Sequence, residues 1–401
     1  MPLFDTCRRL RVGLAAMALL WMSLPALAQS RPVLIGIDAE FGHATSTSAE
    51  AIKRGAQIAI DEINRAGGVL GGRALALEIR DNRSVPTRAV QNVRELGDMP
   101  DVVAVLTGKF SPAVIEVVPV AHEKQLPLLA AWSAADGIVD NEHSPNFVFR
   151  LSLRDDWALA AMLAHARQIG AKRVGLMLPN TAWGRSSLAA AERHLKASSR
   201  IKLAATSWYN WGDKSLLPGY LEIKRAGADV LLLVANELEG AVLVNELAQL
   251  PAAERLPIVS HWGVTGGSFF AMASAGLPSV DFSVVQTYSF IGARDPAAQR
   301  VLAALKQTYG VADARQVESP VGVAHAYDLV HLLARAIAKA GSIERAQVRA
   351  ALETLESYRG LVREYRRPFT SARHEALEPR HLFMAAYAPD GALVRLDRPR
   401  K

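Results

Sequence analysis

A serine and a proline at a junction between strand and helix are the first sign of ligand chemistry in this sequence. Ser111 follows an apolar run, and Pro112 comes directly after it. This order predicts a helix N-terminus, with serine as the capping residue and proline at the first helical position. The positive end of such a helix attracts an anion by about 0.3–1 kcal/mol, so the segment is a candidate anion site. A cap without a ligand is the alternative, and nearby Lys109 could add charge, although a solvated lysine is favoured.

Signatures of catalysis or metal binding are weak. The sequence has no GxSxG motif, and its single cysteine, Cys7, precedes an apolar N-terminal run, which excludes a thiol nucleophile from the mature chain. His374, Glu375 and His381 lie in a polar stretch that favours a loop over a zinc site. The glycines of 67–73 follow a helical pattern and precede a strand, which is the reverse of a phosphate-binding loop. These residues predict a binding protein without enzymatic activity, metal or cofactor.

The first 28 residues have the pattern of an export signal. Three arginines precede an apolar run from Val12 to Leu24, and Ala26-Leu27-Ala28 supplies the small residues of a cleavage site. The run is shorter than the roughly 20 residues that cross a bilayer, so a cleaved signal peptide is favoured over an uncleaved anchor. We therefore expect a mature protein in the periplasm. The net charge of +7 comes without an arginine–aromatic track, which argues against nucleic-acid binding.

Apolar runs and helical periodicities alternate along the rest of the chain. The segment after the first run has an apolar stripe at helical spacing from Ala49 to Ile63, and Gly67-Gly68 ends it. Continuous apolar runs are typical of parallel sheets covered on both faces. Two arrays of about four strands each predict an α/β protein with two doubly wound lobes and a site beyond the carboxyl ends of the strands. The predicted strands are 33–38, 75–81, 102–108, 126–133, 173–179, 201–209, 230–235 and 256–260.

Five segments, in this order, resemble the type I periplasmic binding proteins of the branched-chain amino-acid type. The resemblance extends from about Val33 to Leu396, and its most specific part is GAQIAIDEINRAGGVLGGR at 55–73. It implies two Rossmann-like lobes, joined by three hinge crossings, that close over a ligand and deliver it to an ABC permease. The matching segments are 55–73, 108–129, 172–187, 227–235 and 324–342.

The same resemblance implies the division of the chain. The three crossings would lie near Arg150, near 286–289 and near 363–368. Residues 1–28 would be the signal peptide. Lobe 1 would comprise 31–150 and 286–365, and lobe 2 would comprise 151–285 and 366–401.

The family's ligand contacts can be carried over to matching positions of this sequence. The serine that grips the ligand carboxylate corresponds to Ser111. After the fourth strand the family has small residues that end in a hydroxyl; here Trp132 intrudes and the hydroxyl is displaced to Ser133. In the second lobe an aromatic residue before a glycine stacks on the ligand. Trp183 holds that position, with a purely packed tryptophan as the alternative.

The acid that binds the ligand ammonium in amino-acid receptors is missing from its expected position, where this chain has Trp262. A buried, unpaired ammonium is strongly unfavourable, so such a site should discriminate against α-amino acids. Glu237, at the end of another strand, could substitute or could be a first-turn helix charge. The tryptophans, with Phe41 and Phe110, would then form an aromatic box, although Phe41 could equally belong to the core.

Together these features predict a periplasmic solute-binding protein of an ABC importer, whose ligand is a small carboxylate with an aromatic or apolar body. The expected partners are that small molecule and an inner-membrane ABC permease, and the protein is expected to be monomeric. A branched-chain amino-acid receptor is one alternative. Another is a sensor that hands its closed form to a membrane signalling protein. An exported oxidoreductase is disfavoured because the chain lacks a dinucleotide-binding fingerprint.

Overall fold

A computed structural model describes residues 31–197 and 200–396 of the chain. The predicted signal peptide, with Cys7, lies outside the described residues. The described residues from 32 onward form one compact unit. No helix in the described ranges combines the length and the apolar character needed to cross a membrane.

The first half of the chain builds a five-stranded parallel sheet in the order β2-β1-β3-β4-β5. All residues of the central strand β3 are buried, as expected for a strand with helices on both faces. Three α-helices connect the first four strands, so the loops at the carboxyl ends of β1, β2 and β3 each lead into a helix N-terminus. The elements are β1 Val33–Ala39, α1 Ser48–Arg65, β2 Leu75–Asp81, α2 Pro86–Asp98, β3 Val102–Thr107, α3 Ser111–Glu123, β4 Leu128–Ala130 and β5 Val148–Arg150.

The next part of the chain builds the parallel core of a second sheet by the same alternation. Its strands follow the order β10-β9-β8-β6-β7, which places β6 and β8 in the buried middle. The elements are α4 Asp155–Gln168, β6 Arg173–Pro179, α5 Ala182–Lys196, β7 Lys202–Tyr209, α6 Leu217–Arg225, β8 Val230–Leu233, α7 Glu237–Ala248, β9 Ile258–Ser260, α8 Phe269–Ala273 and β10 Phe282–Gln286.

The last part of the chain serves both sheets. The long helix α10 packs along α1 beside the first sheet, whereas β13 pairs antiparallel with β10 and extends the second sheet to seven strands. The chain therefore passes between the sheets after β5, after β10 and again before β13. The elements are α9 Pro296–Tyr309, α10 Pro320–Ala340, α11 Arg345–Glu353, β11 Tyr358–Arg359, β12 Glu364–Tyr365, β13 Phe383–Tyr387 and β14 Leu393–Arg395.

The predicted α/β architecture with two sheets is confirmed, while several details differ from the sequence-based expectation. The two main sheets have five and seven strands rather than about four each, and β11 and β12 form a small antiparallel pair of their own. The predicted strand at 126–133 is shorter, because β4 ends at Ala130 and the following residues turn away from the sheet. Helix α1 ends before Gly67 and Gly68, whose φ angles of 106° and 72° only glycine adopts without strain. The exact bounds of the two lobes stay a prediction.

A buried ion pair ties the first passage between the sheets to the third. Arg150 is fully buried, and its guanidinium donates to Glu375 through Nε at 2.9 Å and Nη2 at 2.5 Å. Arg150 also donates to the carbonyl of Ala135 at 2.9 Å. His374 contacts the carbonyl of Val148 through Nδ1 at 2.8 Å. The polar stretch around His374 and Glu375 is thus used to anchor the end of β5.

Candidate functional site

The loops at the carboxyl ends of the strands in both sheets face each other across a narrow cleft. Helix starts and strand ends meet there because the first sheet and the five-stranded core of the second are parallel and their connections emerge at the same edge. The cleft encloses a cavity of about 10 Å³, which is room for a single water molecule. Side chains from both sides therefore fill the cleft in this closed arrangement. The cavity is lined by Lys109, Phe110, Ser111, Trp132, Ala134, Trp183, Trp211, Asn236, Trp262 and Gly263.

Five of the eight predicted site residues line this cavity: Phe110, Ser111, Trp132, Trp183 and Trp262. Glu237 lies directly behind the lining, where it contacts Lys109.

The remaining two predicted residues, Phe41 and Ser133, lie outside the lining. Phe41 packs against the core beside Lys53, and Ser133 is fully buried after β4. Sequence reasoning did not single out Trp211 or Asn236 as site residues. Each follows the end of a strand in the second sheet, which is the signal that would have found them.

Aromatic rings from the two sides of the cleft touch each other. Trp132, after β4, faces Trp262, after β9, with ring centroids 5.3 Å apart. Phe110, after β3, meets the edge of Trp211 at 5.3 Å in a T-shaped contact. Such contacts add roughly 0.5–1.5 kcal/mol beyond the burial of area, so the aromatic walls favour closure.

The orientation of Trp183 is fixed by its neighbours in the second sheet. Its indole Nε1 donates to Asp155 Oδ1 at 3.1 Å, and its ring meets the His261 ring edge-on at 5.1 Å. The following residue must be small: a Cβ on Gly184 would lie 1.9 Å from the carbonyl oxygen of Pro179. Gly184 thus lets the first turn of α5 approach the end of β6, which brings Trp183 to the cleft.

A buried ion pair crosses the cleft. Lys109, after β3, donates through Nζ to Glu237 Oε2 at 2.5 Å, and each side chain is 1 % exposed. Lys109 also donates to the carbonyl of Gly266 at 3.1 Å, and Thr45 donates to Glu237 at 2.9 Å. His43 Nδ1 lies 4.0 Å from the same carboxylate. The expectation of a solvated Lys109 is wrong, because closure of the second sheet's loops over it removes it from solvent.

Ser111 has a different role from the predicted helix cap. Helix α3 begins at Ser111 itself, after Phe110, and the cap has no side-chain hydrogen bond. The Ser111 hydroxyl instead accepts hydrogen bonds from the amides of Ala134 and Ala135, both at 3.2 Å. The capping prediction is wrong because the hydroxyl turns toward the loop after β4. It connects the two loops that form one wall of the cavity.

His325 supports the wall from behind Trp262, with ring centroids 5.8 Å apart. It is fully buried in α10, and burial lowers its pKa to about 4. The neutral ring matches its contacts, since Nδ1 lies 2.8 Å from the carbonyl of Ala131 and Nε2 lies 3.0 Å from the Thr287 hydroxyl. The ring thus donates at Nδ1 and accepts at Nε2, which joins the end of β4 to the segment after β10.

The two sides of the cleft are also joined by backbone hydrogen bonds. The amide of Thr47 donates to Gly266 at 2.9 Å, and the amide of Ser268 donates to Thr45 at 2.9 Å. Between them Ser46 and Gly267 form an isolated antiparallel bridge. The segment after β1 is thus latched to the turn after β9, and we call these contacts the cleft latch. A bridge of this kind forms only when the two sides are closed.

The periplasmic binding protein family matches the chain over residues 33–386. The Leu/Ile/Val-binding protein BraC3 of Rhizobium johnstonii is 24 % identical over 317 residues, which cover 79 % of this chain and 81 % of that protein. A type 1 periplasmic binding protein of Bordetella pertussis superposes with a TM-score of 0.80 at 22 % identity and covers 92 % of this chain and 100 % of that one. A solute-binding protein of Rhodopseudomonas palustris in complex with 4-hydroxybenzoate superposes with a TM-score of 0.74 at 17 % identity and 92 % and 98 % coverage. The two solved structures share the fold of this chain.

Proposed function

The chain belongs to the periplasmic binding protein family, and from that premise we propose that it closes two lobes over a small carboxylate with an aromatic or apolar body. In this proposal the mature protein works in the periplasm as a monomer and hands the ligand to an inner-membrane ABC permease. The lobes are the predicted ones, 31–150 with 286–365 and 151–285 with 366–401. No enzymatic activity is expected, because the cleft offers hydrogen bonds and aromatic faces.

The observation that carries the proposal is an aromatic cleft with one cation and no acidic side chain in its described lining. Three groups there can donate to a carboxylate. Lys109 Nζ brings charge, and the Ser111 hydroxyl, which already accepts two amide protons, can donate its own. The Trp132 indole Nε1 is buried and has no hydrogen-bond partner among the described residues. Indole rings on both sides provide flat apolar walls for the rest of the ligand.

The names of the similar proteins point to two classes of ligand, and they do not favour one class over the other for this chain. The Rhizobium protein is named for leucine, isoleucine and valine, and the Rhodopseudomonas structure holds 4-hydroxybenzoate. The same fold therefore accommodates both kinds of ligand. Which kind this chain binds must be inferred from its own residues. Trp262 lies at the position where the resemblance predicts an acid. Its presence there supports an aromatic carboxylate as the ligand.

A second candidate, a branched-chain amino acid, is favoured by the ion pair across the cleft. Lys109 and Glu237 carry the two charges that a zwitterion needs, one for its carboxylate and one for its ammonium. A zwitterion inserted between them would leave no charge unpaired. A sensor for either ligand would use the same cleft and differ only in the membrane protein that receives the closed form.

The ligand class can be tested by calorimetry on protein that has been unfolded and refolded to remove any bound solute. Benzoate, 4-hydroxybenzoate and cyclohexanecarboxylate are compared with leucine, isoleucine, valine and phenylalanine, and benzamide is the uncharged control for benzoate. We expect benzoate, 4-hydroxybenzoate or cyclohexanecarboxylate to bind, and we expect benzamide not to bind. Selective binding of leucine, isoleucine or valine would contradict the carboxylate proposal while leaving the receptor function intact.

A pair of variants separates the two candidates by the sign of the effect. Lys109→Met should weaken either ligand, because both carry a carboxylate. Glu237→Gln should strengthen a simple carboxylate, since Glu237 competes for Lys109, but should weaken an amino acid by removing the partner of its ammonium. Import is distinguished from sensing by measuring uptake of the labelled ligand in a deletion strain. If the deletion strain still takes up the ligand but no longer responds to it, a sensor role is favoured over import.

A further inference from the structure

A second and larger cavity lies at the hinge, between the segment that follows β10 and the segment that precedes β13. Its volume is about 590 Å³, against about 10 Å³ for the cleft. We call it the hinge cavity. Its polar lining is formed by Thr287, Tyr288, Ser289, Arg363, Arg380, His381 and Arg395.

The hinge cavity is rich in positive charge. Three arginines line it, and no acidic side chain belongs to its described lining. Arg380 pairs with Glu378 at 2.9 Å at the protein surface. Arg395 lies over the ring of Phe383 at 4.6 Å, and neither Arg395 nor Arg363 has a carboxylate within ion-pair distance in the described ranges. Concave surfaces of one sign raise the local concentration of ions of the opposite sign.

The corner around His381 has more hydrogen-bond donors than acceptors. The amide of Glu378 donates to Nδ1 of His381 at 2.9 Å, and Nη1 of Arg363 contacts both ring nitrogens of His381. Burial and the nearby Arg363 lower the pKa of His381 to about 4, so the ring is neutral at pH 7. A neutral imidazole accepts at only one nitrogen, so two donors compete for it. An oxyanion between Arg363 and His381 would supply the acceptors that this corner lacks.

We propose that the hinge cavity binds a small polyvalent oxyanion, a phosphate or a polycarboxylate, between Arg363 on one side and Arg380 and Arg395 on the other. Guanidinium groups suit such ligands because their planar N–H pairs match two oxygens at once. Arg363 belongs to the predicted lobe 1, whereas Arg380 and Arg395 belong to the predicted lobe 2. A bound anion therefore fixes the spacing of the two segments about which the lobes move.

The direct test is calorimetric titration with inorganic phosphate and, separately, with citrate, at constant ionic strength. The Arg380→Ser/Arg395→Ser double variant removes two exposed side chains of the cavity. The Arg65→Ser/Arg88→Ser double variant, also at exposed positions, removes the same charge elsewhere. We expect wild type to bind at least one anion, the cavity variant to bind it at least tenfold more weakly, and the control to match wild type. The tighter anion distinguishes a phosphate from a polycarboxylate.

Three outcomes would overturn the proposal: no heat with either anion, equal affinity in the cavity variant, or equal loss in both double variants. A second measurement does not depend on a variant that folds well. Saturating anion should raise the pKa of His381 in wild type, followed by its ring resonances and assigned with His381→Gln, because the anion stabilises the imidazolium. An unchanged His381 titration in the presence of a bound anion would place that anion elsewhere and refute the hinge cavity as its site.

Discussion

Replacing Gly267 by alanine should prevent full closure of the cleft without disturbing either sheet. The backbone of Gly267 is extended, with φ −174°, which any residue adopts. In the closed protein, however, a Cβ at this position would lie 2.1 Å from the carbonyl oxygen of Thr45 and 2.7 Å from Cδ of Glu237. Thr45 lies across the cleft latch from Gly267, whereas Glu237 lies on the same side as Gly267, so its side chain must shift to make room for the new Cβ. An ordinary contact needs at least 3.4 Å, so the two sides must separate by more than 1 Å.

The expected magnitude follows from the hydrogen bonds that such a separation breaks. Thr47 to Gly266 and Ser268 to Thr45 are both 2.9 Å long and leave hydrogen-bonding range when the sides part. Each is worth a net of about 0.5–1.5 kcal/mol, so closure loses about 1–3 kcal/mol. Since ligand affinity includes the free energy of closure, binding should weaken by roughly 5- to 150-fold.

The assay is calorimetric titration with the tightest ligand found in the screen, combined with small-angle scattering of the liganded protein. Gly137→Ala is the matched control, because a Cβ there meets no atom within 4 Å. We expect Gly267→Ala to keep the far-UV circular dichroism of the folded wild type and to keep a larger radius of gyration with ligand. Wild-type affinity and wild-type compaction in Gly267→Ala would refute the role of the cleft latch.

Three further predictions concern the walls and supports of the cleft. Trp183→Ala should weaken ligand binding at least tenfold in calorimetry while the protein stays folded by circular dichroism; unchanged affinity would remove this ring from the site. Glu375→Gln leaves the buried Arg150 without its ionic partner and should lower the free energy of unfolding in urea by about 3–5 kcal/mol; a loss below 1 kcal/mol would contradict that estimate. The stability advantage of wild type over His325→Gln should shrink as pH falls from about 6.5 to about 4. Over this pH range the unfolded chain takes up a proton at His325, whereas the buried ring of the folded protein does not. A difference between the urea midpoints of wild type and variant that stays constant across this range would refute the prediction.

The sequence predicted long, locally determined elements better than short ones. The continuous apolar runs of β1, β3 and β6 identify parallel strands because burial on both faces leaves no polar alternation. Strand β5 and all of the strands from β10 to β14 were missed. β5, β11, β12 and β14 have only two or three residues, too few for a periodicity of their own, whereas β10 and β13 have five. Strand β14 forms because the preceding strand β13 offers unpaired backbone groups along its edge.

Residues that line the cleft could be predicted where they follow a strand end, whereas the burial of a charged side chain could not be predicted where it depends on a distant partner. Trp132, Trp183 and Trp262 all come after strand ends, so the topology of parallel sheets brings them together. The burial of Lys109 could not be read from its neighbours in sequence. Its partner, Glu237, is 128 residues away, and only closure of the two sides removes both charges from water.

The filled cleft constrains the ligand more than its aromatic walls do. With about 10 Å³ of free space, a ligand enters only by displacing contacts that already exist, above all the pair of Lys109 and Glu237. A neutral apolar molecule would leave both charges buried and separated, which is strongly unfavourable, so the ligand must bring at least one charge. A carboxylate satisfies Lys109, and Glu237 then keeps the hydroxyl of Thr45 and has His43 beside it at 4.0 Å. In the proposed complex with a carboxylate, an external anion replaces Glu237 at Lys109, and the response to Glu237→Gln reports directly on that exchange.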